Sequence, residues 1–395
     1  MIQQRRSSVA VVFGGRSVEH DVSIVTAHQI MRAFDKDRWE VTPVYIDREG
    51  RWFTGEPLRD LASFKNEVPS LAGITPVVLS PAVQHHGLIV NPTPSGWFTK
   101  SYVKRLDVVF PAIHGTHGED GTLQGLLELA DIPYVGCGVQ ASAIANDKIM
   151  TKVVLRGHDI PVVDSVSFTR TEWLADPEAI LAKVKSSLGF PLFVKPATLG
   201  SSIGIGRAAD DTMLRAYIDL AAGFDERLLV ESSVENAVEI NCSVIGSAAV
   251  MRASVLEQPV SWQEFLTYEE KYLRGGEGMK SAERIIPAPL TPELTKQIQD
   301  TAMRAFRAIG GRGISRIDFL VRPESGQIFL NEINTMPGSL SFYLWHETGM
   351  SQSALVEYLV QNARDAYAEK RRNTYNYQTS LVALTAERGL KGMKK

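Results

Sequence analysis

The sequence predicts an α/β protein of two or three domains, with an open parallel sheet in the first domain. Three observations support this fold class: the length, the alternation of apolar strands with helical patterns, and a late hairpin with polar residues on one face. The chain has 395 residues, enough for two or three domains with separate cores. Alternating strands and helices are typical of open α/β sheets, whose ligands lie at the carboxyl ends of the strands.

The composition excludes several classes of protein. Hydrophobic residues make up 44% and charged residues 22% of the chain, as in an ordinary globular protein. The net charge of −3 gives no electrostatic reason to expect nucleic acid or an anionic membrane as a partner. No apolar run approaches the ~20 residues of a membrane span. The two cysteines, Cys137 and Cys242, cannot form a disulfide framework, which favours a cytoplasmic location.

The N-terminal stretch combines a strand, a glycine turn and a helix. Val9–Phe13 is an apolar strand, and a helical pattern covers Val22–Phe34, with Ser17 as the expected N-cap. A turn of this kind at a helix N-terminus can bind an anion or a carboxylate. Its glycines lack the G-x-G-x-x-G spacing of a dinucleotide site. Glu19 lies in this turn, and taken alone its simplest role is to interact with the helix dipole.

Two further strands complete the predicted first sheet. Val41–Ile46 and Leu106–Ile113 are apolar, whereas Glu49–Gly96 has an irregular pattern and predicts little regular structure. A loop with His114 and His117 follows the later strand. Two histidines invite a metal hypothesis, but no third ligand lies at a suitable spacing. A structural role in the loop or a contact with substrate is the favoured interpretation.

Apolar periodicity predicts four longer helices, at Ala141–Gly157, Trp173–Leu188, Thr291–Ile309 and Ser351–Arg371. Thr291 is the expected N-cap of the third helix, because Pro292 suits the first helical position. The last helix is amphipathic. Its apolar face consists of Leu355, Val356, Leu359, Val360 and Ala363.

A glycine-rich loop in the middle of the chain indicates phosphate binding. Phe190–Gly206 contains a short apolar strand with Lys195 and then a loop with Gly200, Ser201 and Ser202. Backbone N–H groups in such a loop can surround a phosphate, and hydroxyls can assist. The chain contains no G-x-x-x-x-G-K-[ST] motif, so this loop is not a P-loop. The lysine upstream of the loop strengthens the prediction of phosphate binding, which a glycine-rich loop alone supports only weakly.

Two strands that follow this loop carry carboxylates. Leu228–Glu231 ends in an acid, and Ala237–Ile245 includes Glu239. A carboxylate at a strand end beside a nucleotide site often binds the ribose hydroxyls, although a surface salt bridge explains Glu239 equally well. Gln263–Arg284 then breaks the strand pattern. About twenty residues without regular structure inside a compact domain usually form an active-site lid.

The stretch Arg316–Gly338 predicts a hairpin, because two apolar runs flank a turn that contains glycine. Side chains alternate between faces along a strand, so Arg316 shares a face with Asp318, and Glu332 shares a face with Asn334. If the register joins these faces, three oxygen ligands and one guanidinium converge. Oxygen ligands at this density suit Mg²⁺, which usually completes its shell with nucleotide phosphates. A hairpin with a solvated polar edge is less favoured, because Asp and Asn are depleted in strands.

Five motifs in this order resemble the D-alanine–D-alanine ligases of the ATP-grasp superfamily over nearly the whole chain. They are VVFGGRSVEHDVS (Val11–Ser23), HGTHGEDGTLQG (His114–Gly125), FVKPATLGSSIGIG (Phe193–Gly206), YEEKYL (Tyr268–Leu273), and RIDF with NEINTMPG in the hairpin. Each motif is weak alone, whereas five in order are highly specific.

The resemblance implies roles for individual residues. ATP would lie between a central and a C-terminal domain, in contact with Lys148, Lys195, Ser202, Glu231, Glu239 and the lid residue Lys271. Two Mg²⁺ (or Mn²⁺) ions would be bound by Asp318, Glu332 and Asn334. A hydrogen-bonded triad for the first D-alanine would consist of Glu19, Ser201 and Tyr272. Arg316 would stabilise the tetrahedral intermediate. The substrate contacts would be His114, Gly338 and Ser339.

The resemblance also implies an activity and an organisation. A three-domain ATP-grasp fold is expected, with domains at residues 1–146, 147–236 and 237–395. The expected activity is ATP-dependent synthesis of D-alanyl-D-alanine for peptidoglycan precursors, by a homodimer that associates through the first domain. Tyr272 favours the dipeptide, because relatives that make D-alanine–D-lactate lack a tyrosine there. The segment GSLSFYLW after Pro337 is shorter than in many relatives, which leaves Ser339 and Ser341 as alternatives for binding the second carboxylate.

Three other hypotheses remain beside this one. One is an ATP-grasp carboxylate–amine ligase with a different acceptor, such as D-lactate or D-serine. A non-catalytic nucleotide-binding protein would bind ATP without releasing phosphate, but the complete set of Asp318, Glu332, Asn334 and Arg316 argues against it. A dehydrogenase-like dinucleotide-binding protein is disfavoured, because the glycine spacing that such proteins need is missing.

Overall fold

The computed structural model describes residues 6–65, 68–92, 100–200, 203–260, 284–375, 379 and 381–388. Its strands form three sheets of seven, four and five strands, and helices cover or connect them. The predicted α/β fold class is confirmed. The proposed lid at 263–284 lies, apart from Arg284, outside the described residues.

The first sheet has the strand order β6-β5-β4-β3-β2-β1-β7. Its strands are β1 Ser7–Gly14, β2 Trp39–Ile46, β3 Trp52–Thr54, β4 Thr75–Leu79, β5 Gly87–Val90, β6 Tyr102–Arg105 and β7 Val108–Pro111. The parallel arrangement that the sequence predicts is present in β2, β1 and β7. The other four strands extend this core in antiparallel fashion.

The irregular pattern of Glu49–Gly96 identified no element, and the structure has β3, β4 and β5 in that range. These strands have only three to five residues, too few to produce a clear period-two pattern. They are also interrupted by 3₁₀ turns at Glu56–Arg59, Leu61–Lys65 and Val68–Ser70.

The second sheet has the order β10-β9-β11-β8, and the third has the order β14-β13-β12-β15-β16. The strands of the second sheet are β8 Ser165–Thr169, β9 Leu192–Pro196, β10 Gly206–Ala208 and β11 Arg227–Ser232. Those of the third are β12 Val238–Gly246, β13 Met251–Pro259, β14 Arg284–Ile285, β15 Gly313–Arg322 and β16 Gln327–Asn334. A hydrogen bond from Leu330 N to Pro161 O (2.9 Å) connects the third sheet to the segment that leads into the second.

The described helices are α1 His20–Ala33, α2 Thr122–Leu129, α3 Val139–Asn146, α4 Lys148–Gly157, α5 Arg170–Ala175, α6 Pro177–Ser187, α7 Asp211–Ala222, α8 Pro292–Ala308, α9 Phe342–Glu347, α10 Gln352–Lys370 and α11 Leu381–Arg388. The predicted N-cap Thr291 is confirmed, since its side chain accepts a hydrogen bond from Leu294 N. The predicted N-cap Ser17 is wrong: Glu19 occupies the N-cap position, and Ser17 Oγ accepts from Glu19 N at 3.1 Å.

Two predicted helices are each divided into two. Ala141–Gly157 breaks at Asp147, whose extended backbone (φ −94°, ψ 106°) ends α3 and whose carboxylate caps α4 through Ile149 N and Met150 N. Trp173–Leu188 breaks at Asp176, which caps α6. Pro177 follows it and has no N–H for a continuing helix. The first break matters for function, because it makes Lys148 the first residue of α4.

The first sheet is buried on both faces, as alternating side chains of β1 show. Val9, Val11 and Phe13 pack in one core with α1 and α10, and Ala10 and Val12 pack in another with α2. The face of α10 predicted from the sequence is confirmed, because Leu355, Val356, Leu359, Val360 and Ala363 are buried in the first of these cores. Within the described part of the chain, no helix is both long and apolar enough to cross a bilayer.

Candidate active site

The hairpin of β15 and β16 forms the polar face that the sequence predicts. Its register pairs Arg316 with Asn334 and Asp318 with Glu332. Directly paired residues project from the same side of a sheet, so these four side chains share one face. A register shift follows Asp318, and such bulges often re-aim side chains beside active sites.

Short hydrogen bonds join these side chains. Arg316 Nε and Nη2 donate to the two oxygens of Asp318, each at 2.7 Å. Asn334 Nδ2 donates to Asp318 Oδ2 at 2.9 Å and to Glu332 Oε1 at 3.4 Å. The predicted convergence of three oxygen-bearing side chains and one guanidinium is therefore present.

The electrostatics of Asp318 reflect burial among other carboxylates. Burial raises its pKa from 3.8 to about 7, Arg316 opposes the shift, and Glu332 and Glu239 add to it. Two neighbouring acids thus disfavour a further negative charge here, which a cation would offset. The amide of Asn334 lies between Asp318 and Glu332 and donates to both. Among the described residues, no group of three or more His, Cys, Asp or Glu side chains is arranged to bind a metal.

The neighbouring strand β12 adds Asn241 to this face, directly opposite Asp318. With its amide oriented to satisfy both ends, Asn241 donates to Asp318 Oδ1 at 3.1 Å and to Glu239 Oε1 at 3.3 Å. Glu239 lies two residues before Asn241 on the same strand and therefore on the same face. Glu239, which the sequence assigns to nucleotide binding, thus lies beside the hairpin carboxylates.

A buried carboxylate on the second sheet, Glu231, lies between Lys195 of β9 and Lys152 of α4. Glu231 is 3% exposed, and its two oxygens pair with different lysines: Oε1 with Lys152 Nζ at 2.7 Å and Oε2 with Lys195 Nζ at 2.5 Å. Lys152 Nζ also donates to Val163 O at 3.1 Å. Burial raises the pKa of Glu231, but Lys195 and Lys152 outweigh it and bring the pKa to about 2. The carboxylate is therefore ionised between two ammonium groups.

Lys148 connects the second sheet to the third. Its Nζ donates to Leu199 O at 2.6 Å, in the glycine-rich loop. Burial lowers the pKa of Lys148, and the Glu332 carboxylate opposes that shift. Lys195 Nζ lies 3.3 Å from Asn331 Oδ1, one residue before Glu332. The predicted phosphate-binding lysines therefore approach the strand that carries the predicted metal ligands.

Glu19 places a carboxylate of the first domain beside the glycine-rich loop. A Cβ built on Gly115 would lie 2.6 Å from Glu19 Oε2, and one built on Gly200 would lie 3.4 Å from it. The carboxylate therefore lies between the His114 loop and the glycine-rich loop. Gly200 immediately precedes Ser201. Four predicted site residues lie outside the described part of the chain: Ser201, Ser202, Lys271 and Tyr272.

Thr26 joins two of the predicted substrate contacts. His114 Nε2 lies 2.9 Å from Thr26 Oγ1, and the same oxygen accepts a hydrogen bond from Ser339 N at 3.2 Å. His114 Nδ1 faces Glu119 Oε1 at 3.5 Å. Burial raises the pKa of Glu119, and His114 opposes this shift. Ser341 is fully buried, and its hydroxyl has no hydrogen-bond partner within the described residues.

Comparison with known families accounts for this combination of sites. The N-terminal family model of D-ala D-ala ligase matches residues 8–137, and the C-terminal model matches residues 154–361. The chain belongs to the D-alanine–D-alanine ligase family. The resemblance inferred from the five motifs is therefore confirmed, and membership of this ligase family implies the use of ATP.

Relatives resemble the chain along almost its entire length. The D-alanine–D-alanine ligase of Natranaerobius thermophilus is 37% identical over 95% of this chain and 100% of its own. That of Heliobacterium modesticaldum is 39% identical, over 93% and 97%. Among solved structures, VanG D-Ala:D-Ser ligase from Enterococcus faecalis has a TM-score of 0.78 at 31% identity, covering 91% and 100%. The D-alanine–D-alanine ligase from Coxiella burnetii has 0.77 at 28%, covering 97% and 99%.

Sequence reasoning missed three polar residues of this D-alanine–D-alanine ligase family member: Thr26, Lys152 and Asn241. Asn241 had a detectable signal, because Glu239, Asn241 and Ser243 alternate along one face of a strand. Lys152 lies one helical turn after Lys148, which places both on one face. Thr26 carries no such signal, because its role depends on contacts with loops far away in the chain.

Proposed function

We propose that this chain joins two D-alanine molecules to D-alanyl-D-alanine, with cleavage of ATP to ADP and phosphate through an acyl phosphate. The observation that carries the proposal is the hairpin register, which pairs Asp318 with Glu332 and Arg316 with Asn334 opposite the buried lysines. The hairpin then supplies groups for the reacting phosphoryl and acyl centres, and β9 and α4 supply Lys195 and Lys148 as cations for the nucleotide. The product would serve the synthesis of peptidoglycan precursors.

The side chains on the hairpin fit two Mg²⁺ or Mn²⁺ ions. Asp318, Glu332 and Asn334 offer hard oxygen donors, and Mg²⁺ typically combines one or two carboxylates with phosphate oxygens. The raised pKa of Asp318, whose first cause is burial and to which Glu332 contributes, marks a place where added positive charge is favourable. Such ions neutralise charge on the transferring phosphoryl oxygens.

ATP would lie between the second and third sheets. Lys148 and Lys195 would bind its phosphates, with Ser202 and the lid residue Lys271. Glu231 and Glu239 would contact the nucleoside. Lys195 pairs with Glu231 in this structure, so binding of a phosphate would compete with Glu231 for that ammonium.

The proposed domains are residues 1–146, 147–236 and 237–395.

The first D-alanine would lie near Glu19. Glu19 would bind its ammonium group as part of a triad with Ser201 and Tyr272, and His114 would contact its carboxylate. The carboxylate attacks the γ-phosphate of ATP and becomes an acyl phosphate. The amine of the second D-alanine then attacks the acyl carbon, a C–N bond forms, and phosphate leaves. Water must be excluded meanwhile, because it hydrolyses an acyl phosphate.

Arg316 and the backbone N–H of Gly338 would stabilise the oxyanion of the tetrahedral intermediate. Removal of one such donor costs about 3–4 kcal/mol in known enzymes. Ser339, next to Gly338, would contact the substrate, and its backbone already lies against the His114 environment through Thr26.

D-Serine is a second candidate acceptor, because the structural similarity includes a D-Ala:D-Ser ligase. D-Lactate is less favoured, because Tyr272 occupies the position at which depsipeptide-forming relatives lack a tyrosine. From the family resemblance we further propose a cytoplasmic homodimer that associates through the first domain.

The test is phosphate release from Mg-ATP with D-alanine, L-alanine, D-alanine plus D-lactate, and D-alanine plus D-serine, with products identified by mass. One phosphate per D-alanyl-D-alanine is expected. Release only with a mixed pair would keep the ligase and change the acceptor. ATP binding without release in any mixture would show a non-catalytic nucleotide-binding protein.

A further inference from the structure

The polar face of the third sheet extends beyond the predicted metal ligands to Glu257. Asn241 is paired with Asp318 on one side and with Glu257 on the other. Together with Glu332 these residues form a row across β13, β12, β15 and β16, here called the polar row. Glu257 is only 2% exposed, and its carboxylate lies on the same face as the proposed reaction centre.

Two side chains from other parts of the chain bind Glu257. The Tyr343 hydroxyl donates to Glu257 Oε2 at 2.7 Å, and Arg284 Nη1 lies 3.2 Å from Oε1. The Arg284 guanidinium also stacks on the Tyr343 ring, with Cζ 4.2 Å from its centroid. An ion pair in the guanidinium plane and a ring against its face fix both the position and the tilt of Arg284.

This group lies next to Arg316. Burial raises the pKa of Tyr343, Arg316 is the largest opposing influence, and Glu257 and Arg284 also act on it. Glu257 and Tyr343 likewise act on Arg316. Tyr343 therefore remains a neutral hydroxyl that donates to Glu257, beside the residue proposed to stabilise the tetrahedral intermediate.

An unusual backbone turn places Tyr343 there. Ser339, Leu340 and Ser341 have φ values of 51°, 47° and 49°, three consecutive residues in the left-handed region that residues other than glycine rarely adopt. The chain then enters α9, which packs against β13. Strain of this kind persists where the surroundings enforce it and is concentrated at functional sites.

The proposed reaction places a second substrate carboxylate in this region. The second D-alanine carries a carboxylate that does not react, and its amine must reach the acyl carbon near Arg316. One ion pair uses one of the five N–H donors of a guanidinium, and the Arg284 side chain is 23% exposed. A guanidinium held in a fixed plane matches a carboxylate with two parallel hydrogen bonds.

We propose that Arg284, oriented by Glu257 and Tyr343, binds the carboxylate of the second D-alanine. This assignment rests on the proposed function. Carboxylate binding then depends on an arginine that Tyr343 and Glu257 hold in place. Because every acceptor amino acid carries the same carboxylate, Arg284 affects how tightly D-alanine and D-serine bind, and leaves the preference between them unchanged.

The test compares Arg284→Met with the wild type in steady-state kinetics that resolve separate KM values for the first and second D-alanine. Loss of charge-assisted hydrogen bonds should raise the KM of the second D-alanine about 10- to 100-fold, with the KM of the first D-alanine and of ATP within about twofold. With D-serine as second substrate, its KM should rise by the same factor.

Two further variants test whether a change of KM in Arg284→Met comes from misfolding. Arg284→Lys keeps a positive charge beside Glu257 but removes the planar fork, and it should raise the second KM by a smaller factor. Arg252→Met is the matched control, because Arg252, on the neighbouring strand β13, likewise stacks on a tyrosine, Tyr358, at 5.1 Å. It should leave all three KM values unchanged.

The outcomes separate this proposal from the proposed function. If the wild type forms D-alanyl-D-alanine and both Arg284 variants keep its second KM, the assignment of Arg284 is wrong and the ligase function stands. An equal rise of all three KM values would also overturn it. If the wild type forms no dipeptide with any D-amino acid, both proposals fail.

Discussion

The Arg316 guanidinium donates two parallel hydrogen bonds of 2.7 Å to the two carboxylate oxygens of Asp318. The residue proposed for the tetrahedral intermediate and a proposed metal ligand are therefore bound directly to each other. An ion bound to Asp318 must share that carboxylate with Arg316. Changes at the metal site are consequently expected to alter Arg316 as well.

Glu332→Gln should reduce phosphoryl transfer by about a hundredfold or more, because it removes a negative charge that the metal ions need. Phosphate release with saturating D-alanine measures the effect. Glu324→Gln makes the same change at the exposed turn of the hairpin and should leave the rate of phosphate release unchanged. Turnover close to that of the wild type in Glu332→Gln would refute the metal assignment.

Lys152→Met should weaken ATP binding although Lys152 is not proposed to touch ATP. Without it, Lys195 is the one remaining ion-pair partner of Glu231 among the described residues and is less available to a phosphate. The KM for ATP should rise about tenfold, and the free energy of unfolding should fall by about 3 kcal/mol, as expected for a broken buried pair. Lys183→Met, at an exposed site on α6, controls for loss of a surface charge. An unchanged KM for ATP would contradict the prediction.

Glu231 should make the protein less stable in acid. Burial raises its pKa, but Lys195 and Lys152 lower it further, from 4.5 to about 2. Because the folded pKa lies below the unfolded value, its stabilisation is fully present above pH 4.5 and is lost as the pH falls towards 2. Urea unfolding from about pH 5 to about pH 3 should therefore show a steeper loss of stability in the wild type than in Glu231→Gln. Parallel curves for the two proteins would argue against this pKa.

Tyr272→Phe should increase the use of D-lactate relative to D-alanine as acceptor, because the lid hydroxyl belongs to the proposed triad with Glu19 and Ser201. Competition between the two acceptors, with products separated by mass, measures the preference. A ratio identical to that of the wild type would show that the triad is wrongly assigned.

The sequence predicted most of what depends on local pattern. The shared faces of Arg316 with Asp318 and of Glu332 with Asn334 followed from strand alternation, and the buried face of α10 followed from helical periodicity. The breaks at Asp147 and Asp176 were missed, although each has an acid that caps the next helix. Apolar periodicity continues across such a cap, so periodicity alone does not detect it.

The parts of the site that were missed depend on tertiary contacts. Thr26 and Ser339 are far apart in the chain, yet their hydrogen bond exists only because α1 packs against the turn at Gly338–Ser341. Glu257, Arg284 and Tyr343 come from three elements, and no spacing in the sequence relates them. The three left-handed residues of this turn, Ser339, Leu340 and Ser341, are not glycines, which usually signal such a conformation.

The packing of α10 on the first sheet has a consequence for synthesis on the ribosome. Strand β1 begins at Ser7, but the side chains from Leu355 to Ala363 that cover one of its faces are translated after both later sheets. At about 5–20 residues per second, roughly 10 to 50 seconds pass between synthesis of β2, β1 and β7 and synthesis of α10. During this time α10 does not cover their apolar surface. Nascent chains of this protein therefore present chaperones with a long-lived target, and a ribosome that stalls before codon 355 leaves a first domain that cannot complete its core.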